Sequence, residues 1–514
     1  MKKIAQKTGN SIRKRINRFR HKILTTPITQ QAIDFGITLH DPLVSIICIN
    51  YNGEKHLCSL LDSLLTQTYT HYELIIVDNN SPDNSDSTIQ SYARKFTAFK
   101  YIRSNKNLGF AEGNNLALEQ AQGEYIALLN NDTRADKEWL KELVDTLKNN
   151  GRCAAATSKT LFWDTFQEVT IQSNRSFTLN TAALKISLEY KKYFIRTGKP
   201  KDTLIYSKGN SMTLSLPSTS TAVHLVLTAK DKSNNITIKI GPAPAFSIPC
   251  DYTLELSKYA PANAEYIINN AGSLSDQDLL PIDRGFGEYD SGQYDAATEL
   301  PYFCGCSVLL RRAAMLQRKL FVAELFAYYE DSELSRWLTS AGYTIIYNPK
   351  SVVYHKHAST TSEGSALSKL LWRRNNCLFT SGDNLTLLKK MLTEIGTAYH
   401  TIHNPPLHDM LIEFDNTLID RLNTTKLLYE QSTAIGIYNS CWSNYGESVR
   451  LGLLKVSELQ NKGRVYLVSP QDFSVPELET HFSTNLSRCR KVVISNFDQT
   501  HTSLFTLFID SKVL

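Results

Sequence analysis

This sequence predicts an α/β fold built on a parallel sheet, and three observations carry that prediction. Apolar runs of strand length recur at Val44–Ile49, Tyr72–Val77 and Glu124–Leu129. Helical periodicity fills the gaps between them, as in Leu57, Leu60, Leu61, Leu64 and Leu65. Each run then stops at a polar cluster: Asn50-Tyr51-Asn52-Gly53, Asp78-Asn79-Asn80-Ser81 and Asn130-Asn131-Asp132. Strands that alternate with helices lie parallel. The polar clusters therefore fall on one carboxyl edge, where open α/β sheets bind ligands. At the last of them, one carboxylate beside two amides suits a divalent cation with oxygen ligands. Asn and Asp are also ordinary turn residues, so the cluster by itself could be a surface turn.

Taken in order, the chain opens with a basic arm. Residues 1–24 hold nine Lys or Arg and no acid, whereas the whole 514-residue chain carries +6, so the remainder stands at −3. Ile4, Ile12, Ile16, Phe19 and Ile23 lie among these cations. The pattern predicts a helix lying on an anionic membrane surface, the inner face of the cell membrane, with nucleic-acid binding as the competing reading of a basic arm and a plain tail as the third. No apolar run approaches the roughly 20 residues that span a bilayer, and the arm lacks the continuous apolar centre of a signal peptide. Nucleic acid is not an expected partner. Nine scattered cysteines, an odd number, predict reduced thiols in a cytoplasmic protein.

After Pro42 comes the first α/β segment, 43–164, with a third strand near Phe99 to Ile102, a helix from Asn114 to Gln122, and a short strand near Cys153 to Thr157. From 165 to 262 the texture changes to short alternating strands rich in Thr, Ser and Val, such as Ser211–Leu216 and Ile236–Ile240. Helical periodicity there is confined to Ala183–Tyr193. This predicts an inserted antiparallel β-sandwich. The α/β pattern resumes over 263–384 with Phe303–Leu310, Tyr329-Glu330-Asp331 and Val353-Tyr354-His355-Lys356, followed by a helix bearing Trp372, Arg373 and Arg374. The last segment, 385–514, reads as a small α/β or mixed region without a motif to which chemistry attaches.

These motifs in this order resemble the family 2 glycosyltransferases, inverting sugar-nucleotide transferases with the GT-A (Rossmann-like) fold. The matching residues are Val44–Asn52, Val77–Ser81, Asn107-Leu108-Gly109-Phe110 with Asn115, Asn130–Asp132, Tyr329–Asp331 and Val353–Lys356. Asp283–Glu288 and Gly292–Asp295 further resemble bacterial transferases of rhamnose-containing surface polysaccharides. The resemblance implies a UDP- or dTDP-sugar donor, Mg²⁺ or Mn²⁺, and a glycan or lipid-linked glycan acceptor. It implies a nucleotide-sugar site of Tyr51, Asp78, Gly109, Asn115, Asn130 and Asn131. Asp132 and His355 are its expected metal ligands, Asp331 beside Glu330 its general base, and Arg373 or Arg374 its partners for diphosphate charge.

Each role has a physical reason beside the resemblance. A carboxylate at 78 could accept the N3–H of uracil or thymine, where cytosine has a lone pair. Tyr51 offers an aromatic face to a base, or simply packs. Gly109 allows close backbone approach. Asn130 stands where the family often has an acid, leaving Asp132 as the one certain carboxylate ligand. Two other classes stay open: a catalytically silent scaffold in a polysaccharide assembly complex, and a nucleotidyltransferase. The second would need a Gly-rich basic loop after the first strand, where Asn50–Lys55 is poor for holding a triphosphate.

Overall fold

The computed structural model describes residues 31–513 apart from 181–194, 198, 202–203, 219–222, 230–235, 256–257, 259–263, 277–279, 357–364, 381–384, 403 and 426. The basic arm and the helix expected over 183–193 lie outside the described residues. The chain then runs β1 (Val44–Asn50), α1 (Glu54–Leu65), β2 (Tyr72–Asp78), β3 (Phe99–Arg103), α2 (Gly109–Gln120), β4 (Tyr125–Leu129), β5 (Thr133–Ala135), α3 (Trp139–Asn149) and β6 (Cys153–Gln172).

Strands β1 to β4 are parallel, in the order β4-β1-β2-β3. Every residue of β1 is buried, because helices cover both faces. Val44, Ile46 and Cys48 pack on one side with Leu57, Leu60, Leu61 and Leu64 of α1. Ile47 and Ile49 pack on the other with Ala111 and Ala117 of α2. Each large apolar side chain buried in this way is worth roughly 1.5–3 kcal/mol. A one-residue slip would exchange the two faces of the strand, so the core fixes the register.

The short strand expected near Cys153 is the opening of a 20-residue strand, β6. Its first part joins the α/β sheet, and its far part pairs with Ser211–Pro217 and Ile236–Ile240. A second antiparallel sheet orders Asp251–Leu254, Val223–Ala229, Phe177–Asn180, Leu204–Tyr206 and Lys199–Lys201. Val169, Ile171 and Met212 of the first layer meet Leu179, Leu225 and Leu227 of the second in a common core. The insertion is thus a β-sandwich that shares a continuous strand with the α/β sheet.

Next come β7 (Ser307–Arg311), α4 (Glu330–Ala341), β8 (Thr344–His355), α5 (Ala366–Thr380), α6 (Leu385–Gly396) and α7 (Pro405–Thr425). β7 runs antiparallel between β4 and β6. β8 runs parallel to β6 and antiparallel to β5. The C-terminal segment holds a second parallel sheet of β9 (Ala434–Tyr438), β10 (Arg464–Ser469), β11 (Arg490–Val493) and β12 (Leu507–Asp510), in the order β11-β10-β9-β12. One face of it, including Tyr466, Val468 and Phe505, shares a core with Leu316, Phe321 and Leu338. No described helix is long and apolar enough to cross a membrane.

Candidate active site

The register of β1 and β2 sets Asn50 against Asp78 at the carboxyl edge. The Asn50 Nδ2 donates to Asp78 Oδ1 at 2.8 Å and to Ser81 Oγ at 3.0 Å, while its Oδ1 accepts from Asn131 Nδ2 at 2.9 Å. One amide therefore ties three strand ends together. Asp78 also accepts from the Ser81 backbone N–H at 3.2 Å and lies 3.8 Å from Arg103. It is fully buried beneath the edge. Tyr51 is half-buried just beyond β1. The close packing here explains Gly53, whose added Cβ would fall within 2.2 Å of the Asn50 Oδ1.

Asp132 and His355 are brought together by the pairing of β5 with β8, which sets Thr133 against His355. The imidazole Nε2 lies 3.1 Å from Asp132 Oδ1, and Nδ1 lies 2.9 Å from Asn269 Oδ1. With Nδ1 donating to that amide oxygen, Nε2 presents a lone pair toward a carboxylate oxygen. Two acceptors this close need a proton or a cation between them. An imidazole nitrogen and a carboxylate oxygen are donors that a divalent transition ion such as Mn²⁺ accepts. The neighbouring Asn130 adds a buried Oδ1 with no protein partner. The residues fit a metal. Asn269, which orients the histidine, went unread in the sequence; its signal was a polar Asn269-Asn270 pair ending a strand, as at Asn130-Asn131. Among the described residues, the grouping of three metal-type side chains is His40, Glu124 and Asp472. It lies at the opposite edge, where the Lys491 ammonium already sits 3.4 Å from Glu124 and 2.6 Å from Asp472.

Asp331 reaches the Asp132 edge through the turn that precedes β7. Its Oδ2 accepts from the Gly305 N–H at 2.9 Å, and its Oδ1 from the Ser332 N–H at 2.6 Å. The same turn holds the end of β4, because Asn130 N–H donates to Cys306 O at 3.0 Å. Asn130 and Asp331, 201 positions apart, are thereby held by one turn. Burial raises Asp331, and burial followed by the Asp331 charge pushes Glu330 up to about 8. Asp283 is open to solvent on the rim, yet the crowding around it, then the charge of Asp331, raise its carboxyl too. Burial and these same acids also push the Cys304 thiol well up. A carboxylate in this setting can take a proton from a hydroxyl and hold it.

The segment before Asp331 is strained. Phe326, Tyr328 and Tyr329 have φ of 63°, 74° and 70°. Each such residue costs about 1–3 kcal/mol unless its surroundings hold it. Gly109, at φ 75°, makes room: a Cβ there would fall 2.6 Å from the Phe326 carbonyl, which instead accepts from Ala111 N–H.

Four expected site residues sit differently. The Asn115 amide clamps the Phe321 backbone, donating to its carbonyl at 3.0 Å and accepting from its N–H at 2.9 Å. The close approach that Gly109 permits is to Phe326. Arg374 is fully buried and bonded through Nε to Asp415 at 2.7 Å, so it is not free to meet a diphosphate. Arg373 is half-buried on α5, and no contact among the described residues joins it to the acids.

Amides, an Asp–His pair and a raised carboxylate thus gather at the carboxyl edge of the parallel sheet, where open α/β sheets bind ligands. Residues 45–208 match the profile described as Glycosyl transferase family 2. The chain is 35% identical over 104 residues to TuaG of Bacillus subtilis, a glycosyltransferase named for teichuronic acid biosynthesis. It is 29% identical over 143 residues to the poly(ribitol-phosphate) β-N-acetylglucosaminyltransferase TarS of Staphylococcus aureus. These matches cover 20% and 26% of this chain, and the chain spans 41% of TuaG and 25% of TarS. The crystal structure of S. aureus TarS 1–349 in complex with UDP is similar over 23% of this chain and 35% of that one, with a TM-score of 0.22. The matched segment, 45–208, includes β1 to β4 and their carboxyl edge, and this parallel-rich sheet is consistent with the GT-A fold.

Proposed function

We propose that the protein is an inverting glycosyltransferase that moves a sugar from a UDP- or dTDP-sugar to a hydroxyl of a growing cell-surface glycan. The observation that carries this reading is the single turn at 304–306, which holds Asp331 by one peptide group and the end of β4, two residues before Asp132, by another. Donor diphosphate at Asp132 and acceptor hydroxyl at Asp331 then lie on either side of one edge. The similarity to TuaG and TarS supports an acceptor of the cell-wall polymer class. Rhamnose as the sugar rests on the resemblance of 283–295 alone. A lipid-linked acceptor and attachment of residues 1–24 to the inner membrane face belong to the same reading, and fit the charge of that arm.

In this mechanism Asp132 and His355 would hold Mg²⁺ or Mn²⁺, which would supply charge neutralisation for the diphosphate. Asn269 fixes the histidine ring, and the Asn50–Asn131 amides brace the strand ends against which the nucleotide lies. Tyr51 faces the base, and Asp78 either reads its N3–H or braces the wall behind it. Asp331 accepts the proton of the attacking hydroxyl, which approaches the anomeric carbon from the face opposite the nucleotide. Glu330, raised to about 8 by its burial and then by the Asp331 charge, holds its proton to higher pH than an ordinary carboxyl. The test is a melting-temperature screen of UDP- and dTDP-sugars with and without Mn²⁺. A shift that needs both nucleotide and metal is expected, and its absence from Asp132→Asn and His355→Ala should follow. A shift that persists in both variants would refute the metal assignment.

A further inference from the structure

The strained segment 325–329 presents Glu330 and Asp331, and a side chain from outside the α/β sheet holds it. Asn375 of α5 is fully buried. Its Nδ2 donates to the carbonyls of Leu325 at 2.8 Å, Ala327 at 2.8 Å and Tyr328 at 2.7 Å. Two N–H bonds are thus shared over three carbonyls of four consecutive residues. The amide is oriented in turn: Arg374 Nη1 donates to its Oδ1 at 2.7 Å. Arg374 is set by Asp415 of α7, whose other oxygen accepts from Tyr399 OH at 2.6 Å. None of these contacts involves the strand-edge residues of the donor side.

We propose that Asn375 is a positioning residue for the transfer reaction. It keeps the backbone of 325–329 in its positive-φ path so that the Asp331 carboxylate stays on Gly305 and faces the acceptor hydroxyl. The inference rests on the reading of Asp331 as the base. Without the three bonds, Phe326, Tyr328 and Tyr329 relax toward negative φ, and a displacement of about 1 Å at the acid costs roughly 10²-fold in rate. Only a side-chain amide suits this place. Its nitrogen gives protons to the carbonyls while its oxygen takes one from Arg374, whereas a carboxylate would set acceptor against acceptor. The buried Arg374–Asp415 pair behind it makes the helical segment after β8 part of the acid's support.

The experiment compares Asn375→Ala and the isosteric Asn375→Asp with the wild-type full chain. Amide hydrogen exchange across 322–335 should quicken roughly tenfold, while strand Ala434–Tyr438 keeps its protection. Turnover, read on the sugar nucleotide that gives the wild-type chain its largest melting shift, should fall roughly 10²-fold. The metal-dependent shift itself should stay as in wild type. In an Asp331→Asn background Asn375→Ala should add no further loss, because both act on one group. If the Asn375 variants do not fold, Asp415→Asn gives the same readouts in milder form. Unchanged exchange over 322–335, or full turnover despite quickened exchange, overturns the proposal. Asp331→Asn measured alone separates the two ideas: near-wild-type turnover there refutes the base, whereas exchange still reports on Asn375.

Discussion

The two acids of the site are held in opposite ways. Asp132 follows directly from β4, and its neighbours are set by strand register: Thr133 against His355 and Asn50 against Asp78. Asp331 follows three positive-φ residues and depends on Asn375, Arg374 and Asp415, which lie 43 to 84 positions further along the chain. A regular strand end delivers a ligand cheaply, because the ladder that forms the strand also aims its last residues. A carboxylate that must face a second substrate has to leave the ladder, and its backbone is then stabilised by contacts from elsewhere. Damage to the two sides should therefore look different.

The largest expected effect is on turnover. Asp331→Asn removes the proton acceptor and should lower transfer by about 10² to 10⁴, with the metal-dependent melting shift from the nucleotide retained. A variant that keeps near-wild-type transfer would place the base elsewhere. Next in size, Asp415→Ala leaves the Arg374 guanidinium buried without its carboxylate, which should cost about 3–5 kcal/mol in denaturant unfolding. A loss below 1 kcal/mol would mean that solvent reaches this pair. Gly109→Ala forces a side chain into φ 75° and against Phe326, for about 1–2 kcal/mol from the backbone alone. Its exchange signature should appear at 322–335, on the Asp331 side, although the mutation lies on α2.

A further effect concerns pH. Glu330 has a folded value raised to about 8, so the folded state holds a proton that the unfolded chain has released above the usual carboxylate range. Its contribution is complete below that range and is lost as pH rises toward 8, with a slope of at most ~1.4 kcal/mol per pH unit. Glu330→Gln should flatten this decline in melting curves taken between about pH 5 and pH 8. An unchanged slope would assign the decline to other groups.

What could be read without coordinates was whatever depends on neighbours in the chain. The runs ending at Asn50, Asp78 and Asn131-Asp132 announce buried parallel strands and their shared edge, because alternation and burial are local patterns. Threonine- and valine-rich alternation announced the sandwich for the same reason. In the C-terminal segment, read only as a small α/β or mixed region, β9 and β12 are short runs that gain their meaning from the sheet they complete. Arg374 looked like a phosphate ligand because a lone arginine carries no sign of Asp415, 41 residues away. Gly109 and Asn115 were legible as special residues, but their partners, Phe326 and Phe321, were not.

The sequence by itself determined the α/β class, its parallel strands and the carboxyl edge on which Asp132 stands, since hydrophobic periodicity and turn chemistry act over a few residues. Only the tertiary structure decided that His355 meets Asp132, that Asp331 rests on the turn at 304–306, and that Asn375 secures the strained path leading to it. Those contacts join segments tens to hundreds of residues apart, and packing of the whole chain selects them.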